Sequence, residues 1–120
     1  MKTLKKIYNE QKEFQLNFFD LEKMTTEKKV EWSKEFILSI HRELGEVLEN
    51  LPWKPHKKSN YKKINHEELS VELIDCFKYL LNLFILWDIS PDEFAKVFFE
   101  KSKIVKKKYA ERNKNNANQK

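Results

Sequence analysis

Glycine occurs only once in this chain of 120 residues, and proline only three times. All-β folds need both residues in their many turns, so this scarcity favours helices. Hydrophobic residues make up 40% of the chain and charged residues 36%, which is typical of helices with one buried and one wet face. The length fits a single domain. The sequence therefore predicts one all-α domain.

The first two helices are predicted from apolar residues that recur at steps of three and four. The first helix is expected from Lys5 to Glu22. Either Thr25 or Thr26 can cap the second, which is expected to run to about Leu51. Pro52 ends it, because proline lacks the N–H donor and clashes with the preceding turn.

The last two helices carry clear start signals. Asn65 can cap the third helix, and Glu68 three residues later completes a capping box. This helix is expected to continue to about Asp88. Ser90 can cap the fourth helix, and Pro91 suits its first position. The fourth start also has a capping-box glutamate, and the helix is expected to form the basic end of the domain.

Two segments lack a helical pattern. Residues 52–63, PWKPHKKSNYKK, contain two prolines and many basic residues, and we expect a basic loop. Residues 113–120, NKNNANQK, offer nothing to bury, and we expect a disordered polar tail. The predicted domain therefore covers residues 1–112.

Charge and cysteine content indicate the environment of the chain. The formal net charge is +5, which favours polyanionic ligands such as nucleotide phosphates or nucleic acid. Cys76 is the only cysteine, so no internal disulfide can form, and a reducing, cytoplasmic location is expected. No apolar signal segment follows the basic N-terminus. The apolar run at 71–87 is interrupted by charges, so no membrane span is predicted.

The third helix carries the first candidate metal ligands. Apolar side chains cover most of its circumference, which predicts a buried helix. Glu72 and Asp75 nevertheless lie side by side on one narrow stripe, because residues three apart are neighbours on a helix. Two adjacent carboxylates on a buried helix are costly without a positive partner. Mg²⁺ is the expected partner, since it takes carboxylate oxygens and shares itself with substrate phosphates.

The second helix offers a matching pair. Glu43 and Glu46 are also three residues apart, at the edge of the apolar stripe. Gly45 lies between them, and a glycine inside a helix often marks close approach of a backbone or ligand. If the second and third helices pack antiparallel, the two pairs can face each other across a cleft.

Other common catalytic and metal motifs are missing from the sequence. A di-iron bundle needs Glu-x-x-His pairs, and none occurs. There is also no glycine-rich phosphate loop, no cysteine and histidine spacing for zinc, and no Ser/His/Asp arrangement. The paired carboxylates are therefore the main chemical signal in the chain.

Two motifs resemble a known family. ELGE at Glu43–Glu46 and ELID at Glu72–Asp75 match, in order and with a loop between them, the E-x-x-E and E-x-x-D signature of the all-α nucleoside triphosphate pyrophosphohydrolases. This superfamily includes the dimeric dUTPases and the MazG-like enzymes. The resemblance covers about residues 5–112. It implies a four-helix MazG-like or dUTPase-like bundle that is completed by dimerisation, as a homodimer or homotetramer.

The resemblance also implies an activity and a site. The family hydrolyses a nucleoside or deoxynucleoside triphosphate to the monophosphate and pyrophosphate, with Mg²⁺ or Mn²⁺ as cofactor. The fourth helix lacks the asparagines and the arginine of the dimeric dUTPases, and Lys107-Lys108-Tyr109 resembles a MazG-like run. We nevertheless expect dUTP as the favoured substrate, with dCTP or a broad range of nucleotides as the alternatives. The implied metal ligands and catalytic residues are Glu43, Glu46, Glu72 and Asp75, and the implied substrate-binding residues are Gln11, Trp53, Lys54, Asn82, Lys101 and Lys108.

A second class of function fits the basic residues. The chain can instead be a non-catalytic helical module that binds nucleic acid or a protein through its basic loop and basic last helix. Such binding would weaken steeply with salt and would not depend on Glu43 or Asp75. The acidic pairs argue against this alternative, so nucleic acid is not the expected partner.

Overall fold

All regular structure in the described part of the chain is helical. A computed structural model describes residues 2–54 and 63–118, and no strand occurs within these ranges, which confirms the predicted all-α class. Residues 55–62 of the predicted basic loop, and the ends of the chain, lie outside the described residues. The four helices are α1 (Lys2–Gln15), α2 (Thr26–Glu49), α3 (His66–Leu86) and α4 (Pro91–Asn118).

Three of the helices begin at the predicted capping residues. In each, a side-chain oxygen accepts a hydrogen bond from a backbone N–H of the first turn, which otherwise has no partner within the helix. These caps fix where α2, α3 and α4 start, and Thr25 rather than Thr26 caps α2. The bonds run from Lys28 N–H to Thr25 Oγ1 (3.2 Å), from Glu68 N–H to Asn65 Oδ1 (3.1 Å) and from Glu93 N–H to Ser90 Oγ (3.2 Å).

The first helix ends earlier than its apolar pattern predicts. It stops at Gln15 and not at Glu22. Asn17 Nδ2 donates to the backbone oxygen of Phe14 (3.0 Å), and the Phe18 N–H turns back to the oxygen of Gln15 (2.9 Å). A short polar side chain that binds the backbone in this way competes with helix continuation. The prediction was therefore wrong over residues 16–22.

The end of α3 is fixed by backbone hydrogen bonds. The Asp88 N–H donates to the Ile85 oxygen (3.1 Å), and the Ile89 N–H donates to the Phe84 oxygen (2.8 Å). This pair of bonds is a Schellman motif, which requires a left-handed residue just after the helix. Asp88 occupies that position with φ 54°. The motif ends α3 at Leu86 and directs the chain into α4.

Helices α2 and α3 form an antiparallel pair. Residues near the end of α2 contact the beginning of α3, and residues near the beginning of α2 contact the end of α3. This is the arrangement that brings the two predicted acidic pairs to the same end of the bundle. The contacts are Asn50 with Glu72 (2.6 Å), the rings of Phe36 and Tyr79 (6.4 Å between centroids) and Trp87 Nε1 with Ser33 Oγ (2.8 Å).

The core lies where α1 crosses α3. Tyr8, Leu81 and Ile85 form a buried cluster, and Leu21 and Phe84 pack against it. Burial also raises the pKa of the Tyr8 hydroxyl above its ordinary value, with smaller contributions from nearby acidic residues. The other buried apolar side chains are Phe36, Val47, Cys76 and Leu86.

Helix α4 is different, because none of its described residues is buried. Among the described helices, its backbone packs closely only against α1, although the Phe94 ring meets the Phe84 ring at 5.1 Å. The radius of gyration is 19.3 Å, against about 14 Å for a compact chain of this length. The molecule is therefore elongated.

The predicted tail is helical for most of its length. α4 continues to Asn118, so the prediction of disorder was wrong for residues 113–118. Extending an existing helix adds one hydrogen bond per residue without a new nucleation cost, so exposed polar residues can continue it. Within the ranges that the structure describes, no helix has the length and apolar character needed to cross a bilayer.

Candidate functional site

The four predicted carboxylates lie at one end of the α2–α3 pair. Glu43 and Glu46 belong to the second half of α2, and Glu72 and Asp75 to the first half of α3. The pKa of Glu46 is raised above its ordinary value, chiefly by the negative charge of Glu43 and by a hydrogen bond between the two carboxyl groups. Partial desolvation and the charge of Glu72 raise it further, while Arg42 opposes the shift.

The buried thiol of Cys76 also lies within the electrostatic influence of three of these carboxylates. Burial is the largest cause of its raised pKa, and the charges of Glu43, Asp75 and Glu72 add to it in that order. Three carboxylates from two helices therefore act on one sulfur. Together with the interaction between Glu43 and Glu46, this places Glu43, Glu46, Glu72 and Asp75 in one carboxylate cluster.

The negative charge of the carboxylate cluster is only weakly compensated. Arg42 Nη2 lies 3.5 Å from Glu43 Oε1, and its side chain is 68% exposed, against 14% for Glu43. Because the arginine is well solvated and the two atoms are 3.5 Å apart, solvent screens much of this attraction. The other ion pair among the residues described joins Lys28 to Glu31, outside the cluster. No lysine in residues 2–54 and 63–118 forms an ion pair with the cluster.

Asn50 holds one member of the cluster in place. Its Nδ2 lies 2.6 and 2.7 Å from the two carboxylate oxygens of Glu72, and 3.1 Å from the backbone oxygen of Glu46. Asn50 thereby links the end of α2 to the first half of α3. The sequence analysis missed this residue. Its only signal is its place as the residue after α2, four positions beyond Glu46.

The carboxylate oxygens of the cluster are suitable ligands for Mg²⁺, but the four side chains do not converge on one point. Hard carboxylate oxygens are the ligands that Mg²⁺ prefers, and it often needs only one or two of them beside substrate phosphates. Within the ranges described, no three acidic, histidine or cysteine side chains are arranged to hold a metal ion. The Glu72 oxygens are occupied by Asn50 instead. A metal would therefore require the Glu72 side chain to turn away from this amide.

Gly45 faces open space between Glu43 and Glu46. A Cβ atom added at this position would meet no protein atom within 4 Å. In the part of the chain that the structure describes, no backbone approaches this glycine, so space remains there for a ligand.

Two predicted substrate-binding residues meet each other away from the cluster. Gln11 Nε2 donates to Asn82 Oδ1 at 2.8 Å, and Asn82 is only 3% exposed. Asn82 lies seven residues after Asp75, which corresponds to about 10 Å along α3. Gln11 also lines a cavity of about 500 Å³ between α1 and α3. Its other lining residues are Ile7, Glu10, Phe14, Ile74, Phe77, Lys78 and Leu81.

The remaining predicted binding residues are exposed and lie elsewhere. Lys54 Nζ is 5.7 Å from the centroid of the Trp53 ring, a cation–π distance, and Trp53 is 52% exposed. Lys101 and Lys108 lie on α4, which packs closely only with α1 among the described helices. Within one chain, the structure therefore does not bring these two lysines to the carboxylate cluster.

The comparisons with known proteins add no relative. Searches against protein-family models, curated proteins and solved structures found no significant match to this chain.

Proposed function

We propose that this protein hydrolyses a nucleoside or deoxynucleoside triphosphate to the monophosphate and pyrophosphate, with Mg²⁺ as cofactor. The carboxylate cluster carries the proposal. Glu43 and Glu72, from two packed helices, raise the pKa of Glu46, and both act together with Asp75 on the buried thiol of Cys76. Among the described residues, only the exposed Arg42 forms an ion pair with this cluster. Like charges placed together in this way favour the binding of a cation. The resemblance of the two motifs to the pyrophosphohydrolases supports the same conclusion.

The members of the cluster would have different roles in the reaction. Glu43, Glu46, Glu72 and Asp75 would hold Mg²⁺, with Mn²⁺ as a substitute, and the metal would supply neutralisation of phosphate charge. Asn50 would set the direction of the Glu72 carboxylate. The raised pKa of Glu46 makes this group the best suited of the four to accept a proton from the attacking water.

The Gln11–Asn82 pair would recognise the nucleoside. Amide groups can donate to and accept from the edges of a base or a sugar hydroxyl. The pair adjoins an apolar cavity and lies about two helical turns from the cluster, so base and phosphates could bind at separate points along α3. Trp53 could stack on the base, with Lys54 beside it. Within this proposal dUTP is the favoured substrate.

Self-association and a cytoplasmic location belong to the same proposal. α3 is apolar on most sides, yet only α1 and α2 pack closely against it among the described helices. Several of its apolar side chains stay half exposed, which supports a homodimer or homotetramer. The reducing cytoplasm would keep Cys76 as a thiol. The exposed side chains are Val71 (61%), Leu73 (47%), Ile74 (53%), Phe77 (37%) and Leu80 (44%).

Pyrophosphate release from a panel of nucleoside triphosphates tests the activity. We expect turnover with Mg²⁺ or Mn²⁺, and loss of at least two orders of magnitude in Glu72→Gln. Glu67→Gln is the matched control, because Glu67 is an exposed glutamate in the first turn of the same helix. Absence of turnover with every nucleotide, or full activity in Glu72→Gln, would refute the proposal.

The same proteins separate the catalytic proposal from the basic-module alternative. A basic module would bind nucleic acid with an affinity that falls steeply with salt. Its binding would be unaffected or strengthened by Glu72→Gln, since that change removes a negative charge. Nucleic-acid binding of this kind without nucleotide turnover would favour the alternative.

A further inference from the structure

We infer that α4 pairs antiparallel with α4 of a second copy of this chain. The observation that carries this inference is an apolar stripe along α4 that nothing in the described chain covers. At 100° per residue, its members fall within an arc of about 140°. Each of five is about half exposed or more: Val97 (55%), Phe98 (57%), Ile104 (49%), Val105 (53%) and Tyr109 (66%). The arc also contains Lys101 and Lys108, whose aliphatic stems can lie along an apolar surface while their charged ends reach an acidic partner.

The size of the stripe fits an interface between two chains. The two aromatic members can bury roughly 150–250 Å² each, and the three aliphatic members and the adjoining groove add to this, so each chain offers on the order of 600 Å². Two such surfaces give about 1,200 Å², the lower limit of the size range of specific interfaces. The stripe also continues into a groove of about 490 Å³ between α4 and the residues Phe84 and Ile89, which can take side chains from a partner helix.

The charges along α4 determine the direction of the pairing. Residues 91–100 contain three acidic residues and one lysine, whereas residues 101–114 contain seven basic residues and one glutamate. A parallel pair would stack the basic halves on each other, which is unfavourable. An antiparallel pair places the acidic half of each helix beside the basic half of the other. Charge complementarity of this kind sets the orientation of helix pairs.

A two-fold axis follows from this arrangement. Antiparallel pairing of identical helices is isologous, so each copy gives and receives the same contacts. The axis would cross α4 between Glu100 and Lys101, close to the middle of the apolar segment and to Ser102, which lies at the edge of the stripe. Lys108 would then lie near Glu93 of the second copy. The inference does not depend on the proposed hydrolysis, since neither the stripe nor the charge pattern includes the carboxylate cluster.

Sedimentation of the full chain tests the pairing. We expect at least a dimer for the unaltered protein, and half of that mass for Val105→Glu at the same concentration. Val105 is exposed in the single chain, so the helical content of the Val105→Glu protein should equal that of the unaltered protein. Ala110→Glu is the matched control, because it places the same charge on the opposite face of α4. A monomeric unaltered protein, or equal masses for the three proteins, would overturn the inference.

Disulfide cross-linking tests the direction of the helices. In a Cys76→Ala background, Ser102→Cys should cross-link to itself under mild oxidation, because the two sulfurs would lie near the axis. Arg112→Cys, on the same face near the far end of the helix, should not, because its two copies would lie at opposite ends of the pair. Rapid cross-linking of Arg112→Cys would show parallel helices and overturn the antiparallel arrangement. Nucleotide hydrolysis is measured separately on Val105→Glu. The pairing and the proposed activity are thereby tested by different measurements, and either can fail without the other.

Discussion

Helices α2, α3 and α4 share an apolar periodicity, but the α2–α3 pair has buried side chains and α4 has none. All three helices carry apolar residues at helical spacing. The pair buries Phe36, Val47 and Leu86, whereas α4 buries none of its 28 residues. Apolar periodicity thus identifies the face of a helix that needs a partner. It does not tell whether that partner belongs to the same chain.

The largest expected effect comes from the same substitution made in both regions. Ile85 is 1% exposed and Ile104 is 49% exposed. Ile85→Ala should lower the free energy of unfolding by about 2–5 kcal/mol, because it leaves a cavity in the core. Ile104→Ala should change it by no more than about 0.5 kcal/mol at low protein concentration. Urea unfolding followed by circular dichroism measures both.

Protein concentration sharpens this first test. If α4 pairs with a second copy, Ile104→Ala becomes more costly as concentration rises, because binding stabilises the folded state by mass action. Ile85→Val, expected to cost about 0.5–1.5 kcal/mol, serves where the alanine variant does not fold. Equal costs for the two alanine variants at low concentration would contradict the contrast between the regions.

The buried amide pair should give the next largest effect. Gln11→Ala removes the hydrogen bond to the Asn82 side chain, and an unsatisfied buried polar group costs about 1–3 kcal/mol. Ser102→Ala on α4 removes a hydroxyl that is only partly buried, and we expect a change within about 0.5 kcal/mol. Thermal unfolding of the two variants measures both changes in stability. A Gln11→Ala protein as stable as the unaltered one would show that the pair adds no stability.

A smaller effect of opposite sign is expected at Gly45. Gly45→Ala should raise the free energy of unfolding by about 1 kcal/mol, because glycine is a poor helix former and the added Cβ meets no protein atom. Asn113→Ala on α4 is the control, since it also improves helix propensity. Only Gly45→Ala should slow hydrolysis if a nucleotide approaches this glycine. Unchanged turnover in both variants would leave Gly45 a purely structural position.

The smallest expected effect is a pH dependence due to Glu46. Its raised pKa means that the folded state keeps the proton after the unfolded state has lost it. Stability from this group therefore falls as pH rises from the ordinary carboxyl pKa of 4.5 through the raised value. Glu46→Gln should flatten this part of the profile, as should Mg²⁺ in the unaltered protein. Urea midpoints between pH 4 and pH 7 test this, and an identical slope in Glu46→Gln would contradict it.

Local signals in the sequence predicted most of the fold. The caps at Thr25, Asn65 and Ser90 depend on a residue and its neighbours three positions away, so the sequence contains them directly. The end of α1 was missed because Asn17 turns its amide back to the backbone, a choice that apolar spacing does not record. The helical continuation of α4 was missed because composition reports burial, not whether a helix can extend into water.

The site could be predicted only in part. Spacing of three residues placed Glu43 beside Glu46, and the expected antiparallel packing brought both to the end of α3 that carries Glu72. Asn50 escaped notice because its role depends on which atoms meet between helices, 22 residues apart in the chain. Whether the four carboxylates bind a cation depends on side-chain rotation, which neither periodicity nor motif specifies.

The Schellman turn at Asp88 has a mechanical consequence. It fixes the direction in which the chain leaves α3, and the following helix has 28 residues, so it is about 42 Å long. A rotation of one degree at the turn would move the far end by about 0.7 Å, by the geometry of a rigid rod of that length. Small changes of backbone angle in the four residues between α3 and α4 therefore produce large displacements of the basic end of α4.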